Sequence, residues 1–357
     1  MLTEAWLRLR QPTTFVQVPS YRTALQRLAA RFRPADEVPV VRPWPTYPCR
    51  WWSPANEARL RRAIRSRAVA LRRELGRRID FSEATAIVVS PVWTPWLEAL
   101  PFKQVIYDCI DDVAVHVRRS NLAPLYQGWE DELVQRASGA VVTARPLRES
   151  LCARRSDLRV ATIRNGVDVE RFQRLARSTS RPADLPAAQR PIVGFVGALY
   201  KWIDWTLIGE VACALSDCDF VFVGPHDGRV PRGLLAGLKN VRFLGARPYE
   251  LVPAYVNGFD VCWVPFDQSR VSRSANPVKI YEYLSLGKAV VSTPVADTES
   301  FEDCIRIGRN PNEVATLLRA ALDEGAGKAA ERIRFAQANS WEARAAEYVS
   351  FIASLSG

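Results

Sequence analysis

Short apolar runs rich in β-branched residues alternate with stretches of helical periodicity through most of this chain. In the first half the runs fall at residues 13–18, 38–42, 86–90, 104–108, 140–143 and 159–163. In the second half they recur at 192–197, 220–224, 241–244, 261–265, 289–292 and 305–307, separated by helical patterns near 203–215, 249–257, 277–286 and 311–323. A helix between two strands returns the chain across the sheet, so this alternation predicts parallel sheets with helices on both faces, an α/β doubly wound architecture. The length of 357 residues fits two domains at ~150 residues each. Residues 174–190, RLARSTSRPADLPAAQR, are rich in Ser, Pro and Ala and lack periodicity, which marks the linker candidate. We therefore expect a first domain over 1–175 and a second over 176–335. Two such domains in tandem would face a cleft at the carboxyl ends of their strands, where ligands of this architecture bind. One irregularity stands at the start. Residues 1–12 read as the tail of a helix running into a strand, so the opening strand–turn unit is expected to be missing or degenerate.

Charge changes the picture of the first half. Residues 1–180 hold 30 Lys and Arg against 18 Asp and Glu, whereas residues 181–357 hold 19 against 20, so all of the net +11 lies in the first half. Its densest stretch is a helical run over 57–78 with nine Arg, in which Leu60, Ile64, Ala68, Leu71 and Leu75 form an apolar stripe. That pattern fits a solvated helix packed on its own core, and equally a basic face held against anionic lipid headgroups. Nucleic acid is disfavoured, because no helix-turn-helix, zinc-finger or RNP signature accompanies the charge. No window reaches ~18 uninterrupted apolar residues, and the first residues lack the apolar core of a secretory signal. The seven Cys are scattered, several inside apolar runs, as for reduced buried thiols of a cytoplasmic protein. With two His and no CxxC pair, no metal site is expected.

The strongest chemical constellation is residues 276–293, NPVKIYEYLSLGKAVVST. Pro277 near a helix start leaves free N–H groups at that terminus, a ready anion site. Lys279 in the first turn adds a cation suited to a diphosphate. Glu282, one turn further on, presents a carboxylate able to accept both hydroxyls of a ribose. The same spacing also fits a plain helix–Gly–strand unit with a surface Glu and Lys.

This segment resembles the nucleotide-sugar site of GT-B glycosyltransferases, especially bacterial polysaccharide enzymes of the teichuronic-acid type. Further resemblances follow in the family's order along the chain: IRNGVDVERF (163–172) before the linker, IVGFVGALYKWIDWTLI (192–208) opening the second domain, VRFLGARPYELVPAY (241–255), and SWEARAAEYVSFI (340–352). The resemblance implies two Rossmann-like domains and a final helix, 336–357, crossing back onto the first. It implies transfer of a sugar from a nucleotide diphosphate donor, UDP or GDP type, to a glycan or polyprenyl-diphosphate-linked acceptor, without a bound metal or other cofactor. By the same resemblance, Glu282 would hold the ribose, Lys279 and Lys201 the phosphates, and Asn276, Pro277 and Val278 the donor sugar or its phosphates. Gly197 would allow close approach to the diphosphate, and Arg247-Pro248-Tyr249 would border the base. Retaining relatives carry a second Glu eight positions before the ribose Glu; here that position is Ser274. Some inverting relatives have only the Lys-containing helix and use a first-domain Asp as base.

That draws attention to VIYDCIDDVAVH (105–116), where an apolar strand is followed by Asp108, Asp111 and Asp112. An attacking hydroxyl must lose its proton, and a carboxylate in hydrogen-bond reach suits that role. Asp111 is the first candidate, Asp112 the second and His116 the third, while Asp residues after a strand also serve as helix N-caps. Asp217-Cys218-Asp219 spells the D-x-D metal signature of another glycosyltransferase fold, but its place between helix and strand reads as a turn. His226 and Asp227 would line a nucleotide pocket or a plain loop, and the Trp-Pro-rich stretch around Trp51 and Trp52 would stack on sugar, insert at a membrane interface or pack in a core. The expected location is cytoplasmic, with peripheral contact to the inner membrane. Rival readings are a nucleotide-sugar epimerase or hydrolase of the same fold, a non-catalytic basic module binding membrane or nucleic acid, and a degenerate inactive relative.

Overall fold

The computed structural model describes residues 15–16, 40–41, 53–112, 120–187, 189–228, 233, 235 and 237–355. The chain divides into two compact units, one comprising Met1–Ile163 with Ala345–Gly357 and the other Arg164–Arg344. The reading of residues 1–12, and Trp51, Trp52, Cys49 and His116, fall outside the described residues.

In the first unit, β1 (Phe15–Val16) and β2 (Val40–Val41) pair in parallel. A separate four-stranded parallel sheet has the order β3 (Thr85–Val88), β4 (Gln104–Cys109), β5 (Gly139–Val142) and β6 (Val160–Thr162). The longer helices described in the unit up to residue 163 are α1 (Glu57–Leu75), α2 (Ala123–Arg136) and α3 (Arg145–Arg154). The five apolar residues of α1 expected to form a stripe are all buried. Its Arg61 is tied to Glu57, Glu98 and Glu132, and Arg59, Arg62 and Arg73 lie on the exposed face. A polar chain links β4, α2 and α3: the Tyr107 hydroxyl donates to Glu130 at 2.6 Å, and Arg154 meets the other oxygen of that carboxylate at 2.6 Å.

The second unit opens with α4 (Val169–Ser178), so the Ser-Pro-rich stretch read as linker begins inside a helix. Asp168 caps it, accepting from the Arg171 N–H at 3.0 Å. A six-stranded parallel sheet follows with the order β12-β11-β10-β7-β8-β9. Its strands are β7 (Ile192–Val196), β8 (Asp219–Val223), β9 (Val241–Gly245), β10 (Val261–Val264), β11 (Ala289–Ser292) and β12 (Ile305–Ile307). β7, β8, β10 and β11 are buried throughout, as parallel strands covered by helices on both faces must be, which explains their unbroken apolar runs. Helices α5 (Trp205–Ala214), α6 (Val252–Asn257) and α7 (Val278–Ser285) lie between strands, and α8 (Pro311–Glu324) and α9 (Ala329–Ala338) follow the last one. The strand order reverses between β7 and β10, the switch point at which open α/β sheets receive ligands.

The last helix, α10 (Trp341–Ser354), belongs to the second unit through Arg344 and to the first from Ala345. Its Tyr348 packs with Ile106 and Val141 of the four-stranded sheet and donates its hydroxyl to buried Asp108 at 2.6 Å.

Candidate functional site

The site is built where β7 and β10 end. Gly197 follows β7 directly, and its N–H donates to the Val223 carbonyl at the end of β8. Gly224 allows this approach: it has φ +153°, and a Cβ there would lie 1.8 Å from the Gly197 carbonyl oxygen. Helix α7 is fastened to the same strand end, because the Tyr283 hydroxyl accepts from the Val196 N–H at 2.8 Å and donates to the Val196 carbonyl at 3.2 Å. Burial of the Tyr283 phenol raises its pKa well above the ordinary value, against the opposing effect of the Val196 bond, so it stays protonated. Pro277 stands at the N-cap of α7, and Gly287 closes it with φ +71°. Residues Ile280 through Ser285 are all buried, so α7 is an interior helix with its N-terminus at the switch point.

Glu282 is 1% exposed. A carboxylate so buried requires partners, and it has two: the Tyr249 hydroxyl donates to Oε1 at 2.9 Å, and Lys279 Nζ donates to Oε2 at 2.9 Å. Each carboxylate oxygen carries two acceptor positions, so each retains capacity for one further hydroxyl. Burial, then the Glu282 charge, push the Tyr249 phenol far above its ordinary pKa, so it stays a donor. Its ring is held from α4 by the edge of Phe172, centroids 6.4 Å apart, and by the Arg171 guanidinium 5.9 Å from the ring centroid. Gln173 of α4 also donates to the Ser285 carbonyl at 2.9 Å, locking α4 to α7.

At the start of α7, Asn276 is buried, while Pro277 is buried and Val278 half-buried. Lys279 keeps part of its side chain in solvent while its ammonium caps Glu282. The structure thus brings Gly197, Asn276, Pro277, Val278, Lys279 and Glu282 to one end of one sheet. Lys201 lies nearby in the turn after β7, exposed. The Arg247 guanidinium meets Asp184 at 2.6 Å and donates to the Tyr255 hydroxyl at 2.8 Å, holding the segment after α4 against α6. Ser274 is buried and donates to the Arg270 carbonyl, so no carboxylate stands at that position. Asp111 and Asp112 are half-buried just beyond β4 in the first unit. Of the D-x-D pair, Asp217 gives both carboxylate oxygens to Arg319 at the surface, each at 2.8 Å, and Asp219 is buried at the start of β8. His226 is exposed and accepts from the Gly228 N–H. The contribution sequence reading missed is the bond from Tyr249 to Glu282, 33 residues away, for which no periodicity gives a signal.

Residues 190–324 match the glycosyl transferases group 1 family. TuaH of Bacillus subtilis (strain 168), named as a teichuronic acid biosynthesis glycosyltransferase, is 30% identical over 221 residues, which span 58% of this chain and 55% of TuaH. The chain therefore matches about half the length of that relative. Among solved structures, a glycosyltransferase from Rickettsia africae ESF-5 superposes with a TM-score of 0.67 at 11% identity, covering 98% of this chain and 92% of that one. Anabaena HepE in complex with UDP-glucose superposes with a TM-score of 0.64 at 15% identity, covering 93% of this chain and 89% of HepE. At such identities the superpositions speak to fold alone. Residues 190–324 are thus similar to the glycosyl transferases group 1 family, and the chain that carries them has the GT-B fold.

Proposed function

We propose that this protein is a glycosyltransferase of polysaccharide biosynthesis that moves a sugar from a nucleotide diphosphate donor to a glycan or lipid-linked acceptor. The observation that carries the reading is the buried Glu282 of α7, held between Tyr249 and Lys279 within the matched stretch. That arrangement offers a carboxylate for two vicinal hydroxyls beside an ammonium and a helix N-terminus for phosphates. HepE, of the same fold, is described with UDP and with UDP-glucose, which makes a UDP-sugar the first donor to test.

The leaving diphosphate gains negative charge as the glycosidic bond to it breaks. Lys279, Lys201 and the α7 N-terminus would stabilise that charge without a metal ion. Proton removal from the acceptor hydroxyl is assigned to Asp111, with Asp112 next; His116 remains a candidate on sequence grounds. The exposed arginines of α1 support contact with an anionic membrane surface, where a polyprenyl-diphosphate acceptor resides. Among the described residues no helix is long and apolar enough to cross a membrane, so such contact would be peripheral.

A thermal-shift panel of UDP-, GDP- and dTDP-sugars tests the reading. At least one should raise the melting temperature of the wild-type protein and fail to raise that of Lys279→Ala. A panel without any shift in the wild type would overturn it.

A further inference from the structure

Asn276 precedes α7 and is 4% exposed, yet its amide is only half satisfied. Its Oδ1 accepts from the Asn165 main-chain N–H at 2.9 Å and from the Tyr281 hydroxyl at 3.2 Å. Its Nδ2 is buried and has no hydrogen-bond partner. A buried amide that wastes two N–H groups should rotate if rotation helped, but here it cannot. Turning it over would set Nδ2 against the Asn165 N–H, donor against donor. The Asn165 side chain fastens the same residue a second time, its Nδ2 donating to the Asn276 carbonyl at 2.6 Å. Asn165 is itself held, its carbonyl accepting from Arg344 Nε at 3.2 Å.

We infer that Asn165 is a positioning residue for the donor site: it fixes the Asn276 amide so that Nδ2 stays turned to the ligand, as a donor for the diphosphate. The inference rests on the donor-site reading above and deepens it. Three kinds of donor are then on offer, namely the Asn276 Nδ2, the first N–H groups of α7 and the N–H bonds of the Lys279 ammonium that are not given to Glu282. An oxygen-rich anion satisfies all of them, and the cost of the orphaned amide is recovered when that anion binds. Asn165 touches no donor atom in this account. It acts only through Asn276, and only on phosphate.

The test is calorimetric binding of UDP and GDP, each alongside its nucleoside, well below the melting temperature. Asn165→Ala should weaken the nucleotide that binds the wild type about fivefold or more, with the nucleoside unchanged. Asn276→Asp keeps the oxygen that Asn165 and Tyr281 require while replacing the amino group with a second oxygen. It should fold, by circular dichroism, and weaken the nucleotide about tenfold or more. Equal weakening of nucleotide and nucleoside in Asn165→Ala would reveal a general packing role and overturn the inference. So would wild-type nucleotide affinity in either variant. If the wild type binds neither UDP nor GDP, the donor-site reading fails first and takes the inference with it.

Discussion

The hydroxyl of Tyr249 donates to Oε1 of Glu282 across 33 residues of chain, at 2.9 Å. This bond joins the turn after β9 to the interior helix α7, and it decides how Glu282 is presented. A carboxylate 1% exposed cannot rotate freely between two fixed donors, so its remaining acceptor positions are held in fixed directions. The pair also explains why α4 packs where it does, since Phe172 and Arg171 both brace the Tyr249 ring.

Tyr249→Phe removes one donor from a buried carboxylate while keeping the ring that packs on Phe172. Leaving that oxygen short should lower stability by about 1–3 kcal/mol, measured as a fall in urea midpoint without change in slope. Nucleotide affinity should fall as well, because Glu282 gains freedom to turn.

Lys279→Ala acts differently, because it removes the countercharge of Glu282. The carboxylate is then left with the Tyr249 hydroxyl as its donor, and nucleotide affinity should fall. Removing one partner of a buried pair costs about 3–5 kcal/mol, but Lys279 is partly in solvent, so a smaller loss of about 1–2 kcal/mol is expected. Lys279→Arg should restore the charge but not the single-point geometry, recovering stability more than binding.

Much of this fold is legible in the sequence, and the reason is physical. In the second unit the runs FVFV, VCWV and AVVS are strands buried on both faces, so they appear as uninterrupted apolar residues, and the boundaries read from them fall within one or two residues of those observed. Glu282 and Lys279 are legible because one helical turn separates them. Arg247 shows where reading along the chain stops. The resemblance sets its Arg-Pro-Tyr turn beside a nucleotide base, which leaves unannounced that its guanidinium meets Asp184, 63 residues earlier. The stretch 174–190 misleads for another reason. Its Ser, Pro and Ala content reads as linker, yet its first residues finish α4, whose helix is set by the Asp168 cap and by burial of Phe172.

Gly224 carries a prediction about the backbone alone. Its φ of +153° and the carbonyl of Gly197 leave no room for a methyl group, and the clash is with main chain, which cannot swing aside. Gly224→Ala should destabilise the protein by about 3 kcal/mol or more, read as a large drop in soluble yield and in urea midpoint. A Gly224→Ala protein of wild-type stability would mean that β8 and the Gly197 turn lie further apart than described.

Asp108 gives the stability of the first unit a pH dependence whose sign can be worked out. Burial raises its pKa from 3.8 to about 6, against the opposing effect of the Tyr348 hydroxyl that donates to it. The folded protein therefore holds this proton more tightly than the unfolded chain does. The contribution to stability is fully present below the unfolded pKa, near pH 4, and is lost as pH rises through about 6. The loss is of the order of 3 kcal/mol by pH 8 if no other group compensates. Asp108→Asn retains an oxygen for Tyr348 and removes the titration, so urea midpoints measured from pH 4 to 8 should flatten relative to wild type. Since Tyr348 lies on α10, the same titration should appear as rising hydrogen exchange along that helix above pH 6 in the wild type and not in the variant. An identical slope in both proteins would place the titrating group elsewhere.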